Sequence, residues 1–224
     1  MRIDIITLFP EMFDGPFGHS IVKRAQGKGI VEIHTHNLRN WSKNKHRKVD
    51  DTPYAGKGGM LMTPQPIADC IDDLRSSREY DEVFYTSPDG ELLNQGLLNS
   101  YSHNYNNIII LCGHYKGIDE RIREHYITKE FSIGDYVLSG GELAAMVLVD
   151  GITRVIPGAI GDEMSALSDS FQDGLVAPPA YTRPRVFNGW EVPEILLSGN
   201  EKLIDEWKHE QAVKRTKERR PNMI

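Results

Sequence analysis

Three glycine-bearing stretches could do chemistry with their backbone: YTSPDGE (Tyr85 to Glu91), LCGHYKGIDER (Leu111 to Arg123) and SIGDYVLSGGE (Ser132 to Glu142). Glycine lets a main chain approach a ligand closely and take up positive φ. Exposed N–H and C=O groups can then read the edge of a flat heterocycle. The third stretch lies within FSIGDYVLSGGELAAM, which places Gly134, Gly140 and Gly141 just where an apolar segment leads into a helix-like run. Such a run of small residues marks either a tight turn or a backbone packed against something other than protein. Other groups are less distinctive alone. Asp169 in SDSFQDG suits a turn cap, and Arg154 near a helix end suits the helix dipole. His46 stands close to Asp50 and Asp51.

Several familiar chemistries are excluded. There is no G-x-x-x-x-G-K-[ST]: AGKGGM, at Ala55 to Met60, lacks the hydroxyl and a preceding strand. No G-x-G-x-x-G opens a helix after a strand, so P-loop and dinucleotide sites are both disfavoured. H-E-x-x-H, G-x-S-x-G and CxxC are also missing, and the two cysteines, Cys70 and Cys112, form no metal-type pair. That cysteine usage suits a reducing, cytoplasmic setting. No apolar run reaches the roughly 18–20 residues of a membrane helix, and MRIDIITLFPEMF does not read as a signal peptide.

The elements that must position the three stretches follow from periodicity. Apolar runs predict strands at Ile3–Leu8, Val31–Leu38, Glu82–Thr86 and Asn107–Leu111. Between and after them helices are predicted at Ser20–Gln26, Pro64–Arg75, Asn94–Tyr101, Ile118–Ile127 and along ELAAMVLVDGITRVI. Alternation of this kind specifies an α/β domain with a largely parallel sheet. IIILCG, apolar at each of its first four positions, fits a strand covered on both faces. In such a sheet the glycine stretches emerge together at the carboxyl ends of strands, where α/β proteins bind ligands. Residues 1–160 form this domain, and residues 161–185 read as a linker or functional loop. Residues 186–224 read as a small helical domain, with VPEILLSGN and EKLIDEWKHEQAVKRTKERR as helices. The chain has 224 residues and a net charge of −6, so contact with nucleic acid must come from local basic patches. RNWSKNKHRK (Arg39 to Lys48) and KHEQAVKRTKERR (Lys208 to Arg220) are the two candidates.

In order along the chain, ITLFPEMF, KVDDTPYAGKGGM, SPDGE, CGHYKGIDER, IGDYVLSGGELAAM, TRVIPG, DSFQDGL, YTRPR and LLSGN resemble the bacterial tRNA (guanine-N1-)-methyltransferase family, the TrmD family of the SPOUT superfamily. The resemblance implies a deep trefoil knot in the parallel-sheet domain and a helical C-terminal domain that binds tRNA. It implies a homodimer with the active site at the subunit interface, and S-adenosylmethionine as methyl donor. The donor would be held by Thr86, Ser87, Pro88, Gly113, Tyr115, Gly117, Ile133, Gly134, Asp135, Tyr136, Val137, Leu138, Gly140 and Gly141. Asp169 would be the general base for guanine N1, Arg154 the cation facing O6, and His46, Asp50 and Ser170 substrate contacts. Tyr115, Tyr136 and Trp190 are expected to pack rather than stack on bases. The chain departs from the family pattern at Lys116, where a carboxylate is usual, at Ala144 for a usual proline, and at Ala55 and Lys57 in a glycine run. The resemblance leaves Mg2+ as an optional second cofactor, and the Lys116 departure weakens any metal or guanine contact made through that position. Two other readings remain open at this stage: a non-catalytic RNA- or nucleotide-binding protein, and a methyltransferase for another RNA position.

Overall fold

The computed structural model describes residues 1–56, 58–161 and 169–224, so Lys57 and part of the predicted linker lie outside the described residues. The chain divides into two compact units, Met1–Gly161 and Asp162–Ile224.

The first unit is an α/β sandwich around one parallel sheet. Its strands are β1 (Arg2–Thr7), β2 (Glu32–Asn37), β5 (Glu82–Leu92), β6 (Asn107–Leu111) and β7 (Lys129–Ser132), in spatial order β2-β1-β6-β5-β7. All four pairings are parallel. A separate two-stranded ribbon joins β3 (Asp50–Asp51) to β4 (Leu61–Met62). Central β6 is buried on both faces, which explains its unbroken apolar run. Ile108 and Ile110 pack with Ile3, Ile5, Phe84 and Phe131 on one side. Ile109 and Leu111 pack with Ile6, Val83 and Tyr85 on the other. The first face is covered by α2 (Ser20–Gly27), α4 (Gln95–Asn104) and α6 (Glu142–Val155), the second by α3 (Pro64–Ser77) and α5 (Glu120–His125). A short helix, α1 (Asp14–Phe17), precedes α2. Each fully buried isoleucine or leucine here contributes about 1.5–3 kcal/mol.

The helix starts follow local chemistry. Asn94 and Asp119 accept hydrogen bonds from the amides of Leu97 and Arg121 at 3.0 Å each, satisfying donors that a helix leaves open. Proline opens α3, where its missing N–H costs nothing. Asp4 is the one charged side chain buried within β1. It accepts from Arg2, His36 and Tyr80 at 2.7–3.0 Å, so its charge is fully partnered. Burial pushes its carboxyl up, but the hydrogen bonds from these three partners and the Arg2 charge outweigh burial and hold it well below the usual carboxylate range.

Two sheet features differ from the periodicity reading. KEFS forms the edge strand β7, which its lysine and glutamate conceal, because charge is what keeps an edge strand from pairing further. Strand β5 runs on through SPDG to Leu92, with its register broken between Thr86 and Glu91, so residues 87–90 bulge away from β7.

The second unit contains α7 (Glu201–Arg219) and a hairpin of β8 (Val186–Phe187) and β9 (Trp190–Glu191). The hairpin turn is Asn188-Gly189, with φ of 52° and 82°, as an Asn-Gly turn between short strands requires. The predicted helix at VPEILLSGN is instead one 3-10 turn, Glu194–Leu197. Among the described residues of this unit, Ala212 and Thr216 are the buried ones. Thr216 Oγ1 accepts from Val176 N–H at 2.9 Å and donates to Ala212 O at 2.7 Å. The Arg220 guanidinium lies 5.4 Å from the Phe171 ring centroid. Val176 is thus bonded to α7, and Phe171 lies against Arg220 just beyond its end.

Candidate active site

The strand order makes β6, β5 and β7 neighbours, so the loops at their carboxyl ends meet. Between them lies a cavity of about 640 Å3, within the usual range for a small-molecule site. From the first loop it is lined by Thr86, Ser87 and Pro88, from the second by Gly113, Tyr115 and Gly117, and from the third by Ile133, Gly134, Tyr136, Val137, Leu138, Gly140 and Gly141. Of the residues expected around the donor, only Asp135 does not line it; that side chain is exposed.

The glycines have a different physical reason from the one their sequence suggests. A Cβ on Gly141 would stand 1.9 Å from Thr86 Oγ1 and 2.9 Å from Gly113 N. On Gly140 it would stand 2.3 Å from the His114 ring and 2.5 Å from Glu142 Oε2. On Gly113 it would stand 2.9 Å from the Tyr85 ring. These glycines therefore let the protein's own loops close on one another, and the ligand space lies beside them. The closure is sealed by backbone: Gly141 N–H donates to Gly113 O at 2.8 Å, and His114 forms an isolated bridge with Gly140. Gly117 has a φ of 110°, a conformation that side chains avoid.

Beneath the cavity runs a polar chain that motif reading missed. Glu142, the first residue of α6, is 1% exposed. It accepts from Thr7 Oγ1 at 2.6 Å and pairs both oxygens with His114 Nε2 at 2.8 Å. Burial pushes its carboxyl up, but the His114 and Thr7 hydrogen bonds and the His114 charge outweigh burial and hold it below its ordinary value. Its position at a helix N-terminus adds favourable dipole interaction. Tyr85 is buried at the base of the cavity, and burial pushes its phenol up to about 12. Ser87 donates to Asp89 in the β5 bulge, and Asp89 accepts from Arg123 at 2.8 Å. Those hydrogen bonds, from Arg123 first and Ser87 second, lower the Asp89 carboxyl to about 2. A glutamate directly after Gly-Gly at a helix start was the one signal in the sequence for this network.

Among the other expected site residues, those of the first unit, His46, Asp50 and Arg154, do not line the cavity. His46 is exposed, with its amide bonded to Asn44 Oδ1 at 2.8 Å. Asp50 pairs with Met62 in the small ribbon, and Leu61, opposite Asp51, reaches the cavity. Arg154 occupies the last turn of α6 and is half-buried. Asp169 and Ser170 belong to the second unit; Ser170 Oγ accepts from Ala177 N–H at 3.0 Å. The aromatic expectation is corrected: Tyr115 is 49%, Tyr136 56% and Trp190 70% exposed, so none is a packed core residue. Ala144 lines the cavity and starts α6 without disturbing it, since alanine is the best helix former.

Lys116 stands on the cavity wall, its stem within 3.0–3.6 Å of the position a Gly59 Cβ would take. Among the described residues no cluster of three His, Cys, Asp or Glu side chains could hold a metal ion. Lys116 presents an ammonium there and Asp89 is committed to Arg123, so neither of these two described wall residues offers Mg2+ a free carboxylate. No helix among the described residues is long and apolar enough to cross a membrane.

A cavity walled by three adjoining loops outside the carboxyl ends of parallel strands defines an α/β ligand-binding protein of the edge-site class. Comparison with known proteins narrows the class. The family model described as tRNA (Guanine-1)-methyltransferase TrmD matches residues 1–224, and the chain belongs to that family. It is 60% identical to the tRNA (guanine-N(1)-)-methyltransferase of Bacteroides thetaiotaomicron over 224 residues, covering 100% of this chain and 99% of the relative. The protein of the same description from Flavobacterium johnsoniae is 58% identical over the same shares. Among solved structures, the crystal structure of tRNA (m1G37) methyltransferase from Aquifex aeolicus matches with a TM-score of 0.80 and 38% identity. That match covers 99% of this chain and 93% of the other.

Proposed function

We propose that this chain transfers a methyl group from S-adenosylmethionine to N1 of guanosine 37 of tRNA, acting as a cytoplasmic homodimer. The observation that carries the reading is the cavity: thirteen of the fourteen residues expected to hold the donor line one space. Its walls offer backbone amides and carbonyls together with the exposed faces of Tyr115, Tyr136, Val137 and Leu138. That mixture suits an adenine edge and an aliphatic tail. When bound, the donor supplies an electrophilic methyl carbon on a sulfonium.

The harder task falls to the protein. Guanine N1 carries a proton at neutral pH and becomes a nucleophile only on losing it. In our reading Asp169 accepts that proton as the N1–methyl bond forms and the sulfur–methyl bond breaks, with the sulfur taking the bonding pair. An aspartate of ordinary pKa, about 3.9, is a weak base for this purpose. Arg154 compensates by stabilising the negative charge that grows on O6, which acidifies N1–H. Holding the base and the ring in register supplies several further kcal/mol, on the order of the effective-molarity gains of intramolecular reactions. His46, Asp50 and Ser170 are assigned to contacts with the target base and its neighbour. The basic end of α7 is assigned to phosphates.

A dimer is supported by two features. The second unit buries very few of its own described side chains, which leaves apolar surface for a partner to cover. Leu143 and Val147, one turn apart on α6, are 48% and 47% exposed, and Phe9 and Met12 of the same unit are exposed too. In the dimer, Asp169 of one subunit would serve the cavity of the other. The trefoil knot belongs to the same proposal, and the direct bonding between residues 113–114 and 140–141 is compatible with a threaded chain.

The test is to incubate the protein with labelled donor and tRNA transcripts carrying guanosine or adenosine at position 37, and to map the product. Label at N1 of guanosine 37 alone is expected. Equal labelling of the adenosine-37 transcript would place the target elsewhere.

A further inference from the structure

One guanidinium outside the assigned residues bonds to the roots of the first and third loops that line the cavity and lies against Tyr85, which abuts the second. Arg123, in α5, donates from Nε to Glu130 Oε1 at 2.9 Å and from Nη2 to Glu130 Oε2 at 2.6 Å. The same Nη2 donates to Asp89 Oδ2 at 2.8 Å. Its Cζ lies 5.8 Å from the centroid of the Tyr85 ring. Two of these partners belong to β5 and one to β7, and the second loop is reached through Tyr85. Asp89 sits in the β5 bulge and accepts from Ser87 of the first loop. Glu130 sits in β7, just before Ser132 and Ile133 of the third loop. The Tyr85 hydroxyl lies 2.9 Å and 3.3 Å from where Cβ atoms on Gly113 and Gly117 would be, and so abuts the second loop.

We propose that Arg123 is a positioning residue of the donor pocket, fixing the three loops relative to one another before the donor enters. The inference rests on the reading that this cavity holds S-adenosylmethionine. An isolated surface ion pair would contribute little. Arg123 differs in being 25% exposed, bidentate to Glu130 and shared with Asp89. Its planar fork sets angles as well as distances, which a lysine ammonium cannot do. A loop held in its bound geometry binds more tightly because the ordering cost is already met. Glu120, 3.7 Å from Nη1, adds charge without a hydrogen bond.

The test compares Arg123→Gln, Arg123→Lys and Asp89→Asn with Arg121→Gln. Arg121 lies on the same helix but pairs with Asp119 and does not line the cavity. Donor affinity is measured by calorimetry, and kcat and KM for the donor at saturating tRNA. Arg123→Gln is expected to raise both donor Kd and donor KM about tenfold, equivalent to about 1.4 kcal/mol, with kcat retained within about threefold, as for loss of uniform binding. Arg123→Lys should recover only part of that loss. Asp89→Asn should shift KM the same way, and the double variant Arg123→Gln/Asp89→Asn should add less than the sum of the singles. Arg121→Gln should match the unaltered protein. Donor Kd unchanged in Arg123→Gln overturns the inference, as does a fall in kcat with KM unmoved or full rescue by lysine. If Arg123→Gln fails to fold, Arg123→Lys and Asp89→Asn decide by the same criteria. Failure of the unaltered protein to bind the donor would instead sink the pocket reading itself, and the inference with it.

Discussion

Substituting Gly141 by alanine separates loop closure from ligand contact as the reason for the glycines. The added Cβ would fall 1.9 Å from Thr86 Oγ1, 2.9 Å from Gly113 N and 3.0 Å from Cys112 Cα. The hydroxyl can rotate away, but two of the three obstacles are backbone in a buried region. Overpacking at such a site costs about 1–3 kcal/mol. Moving the loop would also strain the 2.8 Å bond from Gly141 N–H to Gly113 O, worth about 1 kcal/mol. A loss of about 2–4 kcal/mol follows, or roughly 4–16 °C in Tm at the 2–4 °C per kcal/mol usual for this size. The assay is thermal and urea unfolding in the absence of donor, with Gly27→Ala as control, because a Cβ on Gly27 meets nothing within 4 Å. Thr86→Ala in the Gly141→Ala background should restore part of the stability, leaving a coupling above about 0.5 kcal/mol. If Gly141→Ala is as stable as the unaltered protein but binds donor poorly, the glycine serves the ligand and the packing explanation is wrong.

Four further outcomes are expected. Asp169→Asn should abolish methyl transfer while donor affinity stays within a few-fold of normal by calorimetry; retained turnover would remove Asp169 from the role of base. Arg154→Ala should slow single-turnover chemistry more than it weakens tRNA binding in a filter assay, and an effect on binding alone would contradict its assignment. Glu142→Gln should cost about 1.5–3 kcal/mol in urea unfolding at neutral pH, the usual worth of hydrogen bonds to a charged group. Because the folded Glu142 carboxyl lies below its ordinary value, its contribution is present above the unfolded carboxyl's pKa and disappears as pH falls through the folded one. The gap between variant and unaltered protein should therefore narrow below about pH 4.5. Trp190→Ala should raise KM for tRNA at least about fivefold, as loss of a stacking contact worth about 1–3 kcal/mol would, and leave KM for the donor alone; an unchanged tRNA KM would make that exposed ring irrelevant to RNA.

The sequence by itself determined the α/β class and the location of the cavity. Alternating apolar runs fixed the parallel strands, the uninterrupted IIIL marked a central one, and the glycine stretches had to emerge at carboxyl ends. Ordered motifs along the whole chain pointed to the family. Strand β7 stayed hidden because edge strands carry charge, and Trp190 was misjudged because exposure is not written in a residue's type. The hairpin at 188–189 is written locally, in an Asn-Gly pair between two short strands. Only tertiary structure decided what the glycines are for, since the atoms that forbid a Cβ at Gly141 come from Thr86, Cys112 and Gly113, far away in the chain. The same holds for the Thr7–His114–Glu142 chain, whose ends lie 135 residues apart, and for the grip of Arg123 on three loops. Local pattern records the period of burial and the chemistry of turns; which distant side chains meet depends on strand order, and that is set by the packing of the sheet as a whole.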